Sequence, residues 1–471
     1  MIAAITKNPQ AYDPTLHPEA AQQQRDLVLD LMQYQGYATA EQVKEAKAVS
    51  IVDMLNVQSV PVGCQTAGNA AYFCDYVVNK ILQSPQFGET QEDRRKLLYQ
   101  GGLNITTTMD ATAQRAASQS VRAVIPEDDP SGIESVLAAI KPGTGEVLAL
   151  AQNRTYDASA GASGTHTAIN YAVDQADGGG QGVMPGSTFK PINLVSWLEN
   201  GHTANEPLAT STSYANSSFP CNSTTTGVWR VQNSEGGTVN PETPYQGIMR
   251  SHNTTQASMA QKIGLCAIAD TATAMGYHNA IPSQSDIHDT MFAPFVIGSL
   301  NVSPLTMANV YATIAADGVH CDPIAISKVE KDGKEYEVPS ANCTQAIPKN
   351  VAQTTAYVLN MSATSGQAQE VNLPNRKTFA KTGTAETYFM SSAAFTNGVS
   401  AFAVAGNMEN QESLSGKRIN GVYRSSWYGM YLGAPMLKNF LQQYTTEANI
   451  PDNPNYGTPD QALMGTGSRS R

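Results

Sequence analysis

Gly178-Gly-Gly-Gln-Gly-Val-Met-Pro-Gly-Ser-Thr-Phe-Lys190 decides how this chain of 471 residues is read. A long glycine-rich approach to a helix marks a loop whose backbone must come close to something. A helix is expected over 187–199, opened by Ser187-Thr-Phe-Lys190, an SxxK motif. Residues three apart on a helix share a face, so this spacing brings the Lys190 amine within reach of the Ser187 hydroxyl. A serine hydroxyl is a poor nucleophile until a base takes its proton. Lys190 serves as that base only when neutral, and burial or a second nearby cation lowers a lysine pKa toward that state. Ser187 at a helix start also sits where outward backbone N–H groups can hold a developing oxyanion. An SxxK alone is expected about twice by chance in a chain of this length and composition, so the reading needs more than one motif.

Two further motifs follow in order. Ser251-His-Asn253 supplies a hydroxyl that can pass a proton to a leaving amine, and an amide that can orient Lys190 and hold a peptide. Lys381-Thr-Gly-Thr384 fits a strand beside the site. Lys381 is the candidate second cation, and the Thr382 and Thr384 hydroxyls can bind a terminal carboxylate. Gly383 is expected to leave room for a peptide lying along the strand edge. His252, the middle residue of the second motif, reads as a partly exposed loop residue without a catalytic role.

Around these motifs the pattern is α+β, with helices packed on an antiparallel sheet. Residues 17–48 carry helical apolar spacing broken at Gly36, and Thr39 with Gln42 forms a candidate capping box. A Thr-rich strand is expected over 101–110, a helix over 111–124, and a hairpin of strands 133–140 and 147–152 about Lys141-Pro-Gly-Thr-Gly-Glu146. Helices are expected at 254–264, 304–316, 351–361 and 434–446, and strands at 324–330, 376–382, 399–407 and 421–432. The main domain is placed at 101–447, after a helical linker region at 22–100. The Pro-, Gly- and Ser-rich tail at 448–471 reads as disordered.

Composition narrows the function. The net charge is -11 and no basic run exceeds Arg94-Arg95-Lys96, so nucleic acid is not an expected partner, because phosphate contacts need clustered Lys and Arg. The six cysteines pair by proximity as Cys64 with Cys74 and Cys321 with Cys343, leaving Cys221 with Cys266 by elimination. Such pairing fits an oxidising, extracytoplasmic setting; six buried free thiols are the alternative. No CxxC, HExxH or paired-ligand spacing occurs, so neither a metal nor any cofactor is expected. No apolar run approaches the ~18 residues of a membrane span, and no export signal opens the chain.

Three segments carry a family resemblance. Met184-Pro-Gly-Ser-Thr-Phe-Lys-Pro191, Met249-Arg-Ser-His-Asn-Thr254 and Thr378-Phe-Ala-Lys-Thr-Gly-Thr384 resemble the three motifs of the class A penicillin-binding proteins, actinobacterial type. Ser303–Gly318 resembles the long helix that precedes the third motif, and Ala138–Ala151 the opening strands of the transpeptidase domain. The resemblance implies the penicillin-recognising fold and a serine D,D-transpeptidase. The donor would be a peptidoglycan stem peptide ending in D-Ala-D-Ala, the acceptor an amine, and β-lactams would acylate Ser187. It implies Ser187 as nucleophile, Lys190 as base, Ser251 as proton relay, Asn253 as orienting amide, and Lys381, Thr382, Gly383 and Thr384 as substrate-binding residues. The N–H groups of Ser187 and Thr384 would form the oxyanion hole. Residues 1–21 resemble the end of the family's glycosyltransferase domain. The rest of that domain and the membrane anchor are not in this sequence, which reads as a piece of a longer chain. Departures are Ala394-Phe-Thr-Asn-Gly398, where the family has an aromatic strand, and Ala356, where a class A β-lactamase-type deacylating glutamate would stand before Leu359-Asn360. A D,D-carboxypeptidase and a β-lactam sensor without efficient turnover are the alternatives.

Overall fold

The structure, a computed structural model, describes residues 5–55, 63–159, 162–281, 287–289 and 291–466. It divides into two compact units, Met1–Val62 and Gly63–Arg471. In the first, helix α1 (Pro18–Tyr34) is followed by α2 (Ala40–Ala48) after a turn at Gly36, whose φ of 78° suits glycine. The capping box forms as expected. The Thr39 hydroxyl accepts from the N–H of Gln42 at 3.3 Å, and the Gln42 side chain accepts from the N–H of Thr39 at 2.9 Å.

The large unit starts well before residue 101. Helix α3 (Ala71–Gln83) sends Phe73, Tyr76 and Ile81 into the main core, so the region expected as linker over 22–100 is split between the units. Strand β1 (Asn104–Thr107) leads to α4 (Ala111–Val124), where the Asp110 carboxylate accepts from the N–H groups of Thr112 and Ala113. The expected hairpin follows as β2 (Glu134–Ile140) and β3 (Val147–Gln152). Strands β4 (Ile326–Lys331) and β5 (Lys334–Tyr336) join β1 in a small antiparallel sheet. Strands β6 (Phe379–Ala385), β7 (Phe389–Thr396) and β8 (Val399–Gly406) complete the main sheet in the order β6-β7-β8-β2-β3, antiparallel throughout. The third motif therefore lies on an edge strand.

Both faces of this sheet are covered. On one, Val136, Ala138, Phe395, Phe402 and Val404 pack in a core with α5 (Lys190–Glu199), α6 (Asn253–Ile263), α7 (Pro304–Ala315) and α8 (Lys349–Ser365). On the other, Leu137, Ala139, Ala394, Ala401, Ala403 and Ala405 meet α4 and α9 (Gly433–Glu447). The alanines on that face let the two helices lie close to the sheet. Burial on both faces removes the polar alternation of a half-exposed strand. Without that alternation a strand is marked only by its residue types, and Phe389-Met-Ser-Ser-Ala-Ala-Phe-Thr396 has no β-branched residue before Thr396. The α+β architecture is the expected one.

Two expectations fail. The strand at 421–432 is reduced to Val422–Tyr423 paired with Arg418–Ile419, followed by a 3-10 turn at Gly429–Tyr431. The tail from 448 is not disordered over its described part. Tyr456 packs edge-on against Phe379, with ring centroids 5.4 Å apart, and its hydroxyl donates to the Ile314 carbonyl. Gly457 N–H donates to the Gln353 side chain at 2.6 Å, and Met464 is buried. Of this tail, only 467–471 fall outside the described residues. The disulfides Cys64–Cys74, Cys221–Cys266 and Cys321–Cys343 are all formed. No described helix is long and apolar enough to cross a membrane.

Candidate active site

The glycine-rich approach is held by main-chain bonds in both directions between Val183 and Val302, at 2.9 and 3.0 Å. It then passes against the edge strand. Gly186 has φ 58°, and a Cβ there would stand 2.6 Å from the Thr384 carbonyl oxygen, so only glycine allows this approach. Gly186–Phe189 forms a 3-10 turn that runs into α5. In a 3-10 turn residues i and i+3 eclipse, which sets Ser187 and Lys190 on one side. Phe189 locks the turn into the core between Tyr277 and Phe295.

Ser251 ends the helix Pro244–Arg250 in the left-handed conformation, φ 61° and ψ 33°. This turn directs both its carbonyl and its hydroxyl at the lysines. Lys190 Nζ donates to the Ser251 carbonyl at 2.6 Å and to Asn253 Oδ1 at 2.7 Å, and stands 3.3 Å from Ser251 Oγ. Lys381 Nζ donates to Ser251 Oγ at 2.7 Å and to the Thr382 carbonyl at 2.9 Å. The Ser251 hydroxyl thus lies between two amines. Among the described residues Ser187 Oγ makes no hydrogen bond, so the direct Ser187–Lys190 bond that the spacing suggests is not formed. The two short acceptors explain the amine's position. A neutral amine has two N–H donors and one lone pair. Ser251 O and Asn253 Oδ1 use both donors, and the lone pair is left for a hydroxyl proton. Catalytic hydrogen bonds are often long without substrate and tighten in the reacting complex.

Both lysines are fully buried, a rare state for this side chain. Burial, and then the neighbouring Lys381 charge, hold the Lys190 ammonium well below its usual 10.5. Burial alone brings Lys381 down to about 7. A lysine that sheds its proton this readily is equipped to act as a base.

Above them opens a cleft of about 850 Å³. Ser187, Ser251, Asn253, Thr382 and Thr384 line it, with Lys190, Lys381 and Gly383 behind the lining. Gly383 is also fixed by packing. A Cβ there would meet Ser391 Oγ and lie 2.6 Å from the Pro185 carbonyl oxygen. Its missing side chain lets the Ser187 turn lie on β6. The Thr384 hydroxyl accepts from Gly429 N–H at 3.2 Å, and the Thr382 hydroxyl donates to the Gln367 carbonyl at 3.4 Å. Sequence reading missed Asn233, Glu235, Gln367, Glu386, Tyr428 and Tyr431, which also line the cleft. No motif marks them, and Tyr428 and Tyr431 lie in the stretch expected as a strand at 421–432. The expected exposure of His252 is also overturned. It is 3% exposed and sits between Glu242, at 2.7 Å, and Glu235.

With this geometry in hand, the comparisons are specific. The penicillin-binding protein transpeptidase domain family matches residues 136–418. Penicillin-binding protein 1A of Mycobacterium tuberculosis is 28% identical over 408 residues, which are 82% of this chain and 44% of that protein. Penicillin-binding protein 1A of Streptococcus pneumoniae is 27% identical over 76% of this chain and 46% of its own length. The chain thus spans about half the length of these relatives. The structure of PonA1 from Mycobacterium tuberculosis in complex with penicillin V matches the fold with a TM-score of 0.64 at 22% identity, covering 80% of this chain and 94% of that one. An edge strand bearing Lys-Thr-Gly-Thr, a serine turn laid against it and a family match across both lead to one conclusion: this chain belongs to the penicillin-binding protein transpeptidase domain family.

Proposed function

We propose that this chain is a serine D,D-transpeptidase that cross-links peptidoglycan stem peptides through an acyl-enzyme at Ser187. The observation that carries the proposal is the Lys190 amine, fully buried and bonded to Ser251 and Asn253, on the same side of the turn as Ser187. A donor peptide ending in D-Ala-D-Ala adds to the free edge of β6. Its terminal carboxylate faces Thr382 and Thr384, with the Lys381 charge behind them. Ser187 Oγ attacks the penultimate carbonyl and gives its proton to Lys190. The N–H groups of Ser187 and Thr384 hold the oxyanion; one such donor contributes ~10²–10³-fold in rate. The proton passes through Ser251, between the two lysines, to the departing D-Ala amine. An acceptor amine then attacks the ester, loses a proton to the same relay and releases Ser187. A β-lactam enters by the first half of this sequence. Action outside the cytoplasm, at the cell wall, is part of this reading, and the three disulfides, which fit an oxidising compartment, support the extracytoplasmic setting.

Labelling with a fluorescent penicillin tests the reading. The wild-type chain takes up label stoichiometrically and Ser187→Ala takes up none. Label retained by the alanine variant removes Ser187 from the mechanism. Rapid release of label by water, with many turnovers per site, would replace transfer with hydrolysis.

A further inference from the structure

Behind the second motif lies a charged cluster that the acyl-transfer steps do not use. His252 Nδ1 stands 2.7 Å from Glu242 Oε1, and Nε2 touches Glu235 Oε1. Glu242 is fully buried, its other oxygen accepts from the Thr255 hydroxyl, and the half-exposed Arg250 guanidinium lies 3.6 Å away. Glu235 Oε2 accepts from the Ser234 hydroxyl at 2.8 Å, and the residue lines the cleft. Both ring nitrogens therefore face carboxylate oxygens. A neutral imidazole donates from one nitrogen only, which would aim the other lone pair at an anion; the imidazolium donates from both. A buried carboxylate such as Glu242 also needs a counter-charge. Consistently, the hydrogen bond that the ring donates to Glu242, then the charges of both carboxylates, lift the His252 pKa above its usual 6.5.

The cluster is coupled to the site by short bonds. Asn253 N–H donates to Asn233 Oδ1 at 2.8 Å, and Asn253 Nδ2 donates to the Gln232 carbonyl at 2.7 Å. The same Asn253 accepts from Lys190, and so does the carbonyl that precedes His252. We propose that His252 is a positioning residue: as an imidazolium clamped between Glu242 and Glu235, it pins the 232–235 wall of the cleft to the second motif and shields Lys190 from the two carboxylates. The charged groups facing the imidazole are Glu235, Glu242 and, beyond Glu242, Arg250. Those acting on Lys190 are Lys381, which lowers its proton affinity, and Glu235 and Glu242, which raise it. Without the imidazolium the carboxylates act unopposed and Lys190 keeps its proton to higher pH.

This inference rests on the assignment of Lys190 as the base, and the test separates the two. The rate of acylation by fluorescent penicillin is followed from about pH 5 to 9 in the wild-type chain, His252→Gln and Glu235→Gln, with thermal melting of each. A charge change that moves a lysine's proton affinity by tenfold moves the acid limb by about one pH unit. His252→Gln moves the acid limb to higher pH, with about tenfold slower acylation on that limb. Glu235→Gln, which removes one of the opposing carboxylates, moves it to lower pH. A residue that only supports the fold gives no shifts of opposite sign. Limbs that stay in place, or both move the same way, overturn the clamp while leaving Ser187 and Lys190 standing. A wild-type chain that takes no label at Ser187 overturns the assignment of the site itself. If His252→Gln does not fold, Glu235→Gln decides alone: a limb at or above the wild-type position overturns the proposal.

Discussion

At the scale of single residues, the site is a contest over protons among buried amines. Lys190 and Lys381 share the Ser251 hydroxyl, and each is taken out of water. With a pKa of about 7, free Lys381 is largely neutral in mildly alkaline solution. An incoming carboxylate favours the ammonium, so binding there takes up a proton. The sign follows: below about pH 7 the proton is already present, and above it the proton must be supplied on binding. Initial, non-covalent affinity for a penicillin bearing a carboxylate therefore weakens as pH rises past about 7, approaching tenfold per pH unit. Measuring the concentration that half-saturates the acylation rate at several pH values checks this, and a value flat across neutral pH contradicts it. The three motifs were legible because their spacing is chemistry. His252 was not, since its partners Glu235 and Glu242 are separate in sequence and only the fold brings them together.

At the scale of elements, the Ser187 turn and the edge strand are fitted through glycines. Gly186 meets Thr384, and Gly383 meets Pro185 and Ser391. Adding a methyl at 383 requires the turn and strand to part by several tenths of an ångström, in a region packed on both sides. Overpacking of this kind costs about 1–3 kcal/mol, and it moves Ser187 relative to Thr384. Gly383→Ala is therefore expected to fold with a lowered Tm and to acylate at least ~100-fold more slowly, since misplacement of about 1 Å costs that much. Wild-type acylation in the folded variant contradicts the fit. Element existence was readable where a capping residue, a turn signal or β-branched residues marked it. Helix α4, with Asp110 at its start, and the β2–β3 hairpin were read to within a residue. Strand β7 was hidden because it has no β-branched residue before Thr396, unlike the equally buried β2, β3 and β8. The 421–432 segment has the aromatic content of a strand, yet Tyr428 and Tyr431 leave the sheet to wall the cleft.

For the molecule as a whole, long-range closure is what composition concealed. The tail looked too polar to fold, yet a few side chains tie it down. Tyr456 lies on Phe379, the first residue of the motif-bearing strand, and reaches Ile314 at the end of α7. Tyr456→Ala is expected to destabilise by about 1–3 kcal/mol, with labelling at Ser187 retained. A Tm equal to wild type would return the tail to a free segment. The division between Val62 and Gly63 falls inside the stretch read as one linker region at 22–100. The central claim remains local to one oxygen atom, and the most direct measurement is peptide-level mass spectrometry after exposure to penicillin. A single penicilloyl adduct on the Ser187 hydroxyl is the result predicted; an adduct on another side chain, or none on a folded chain, contradicts the account.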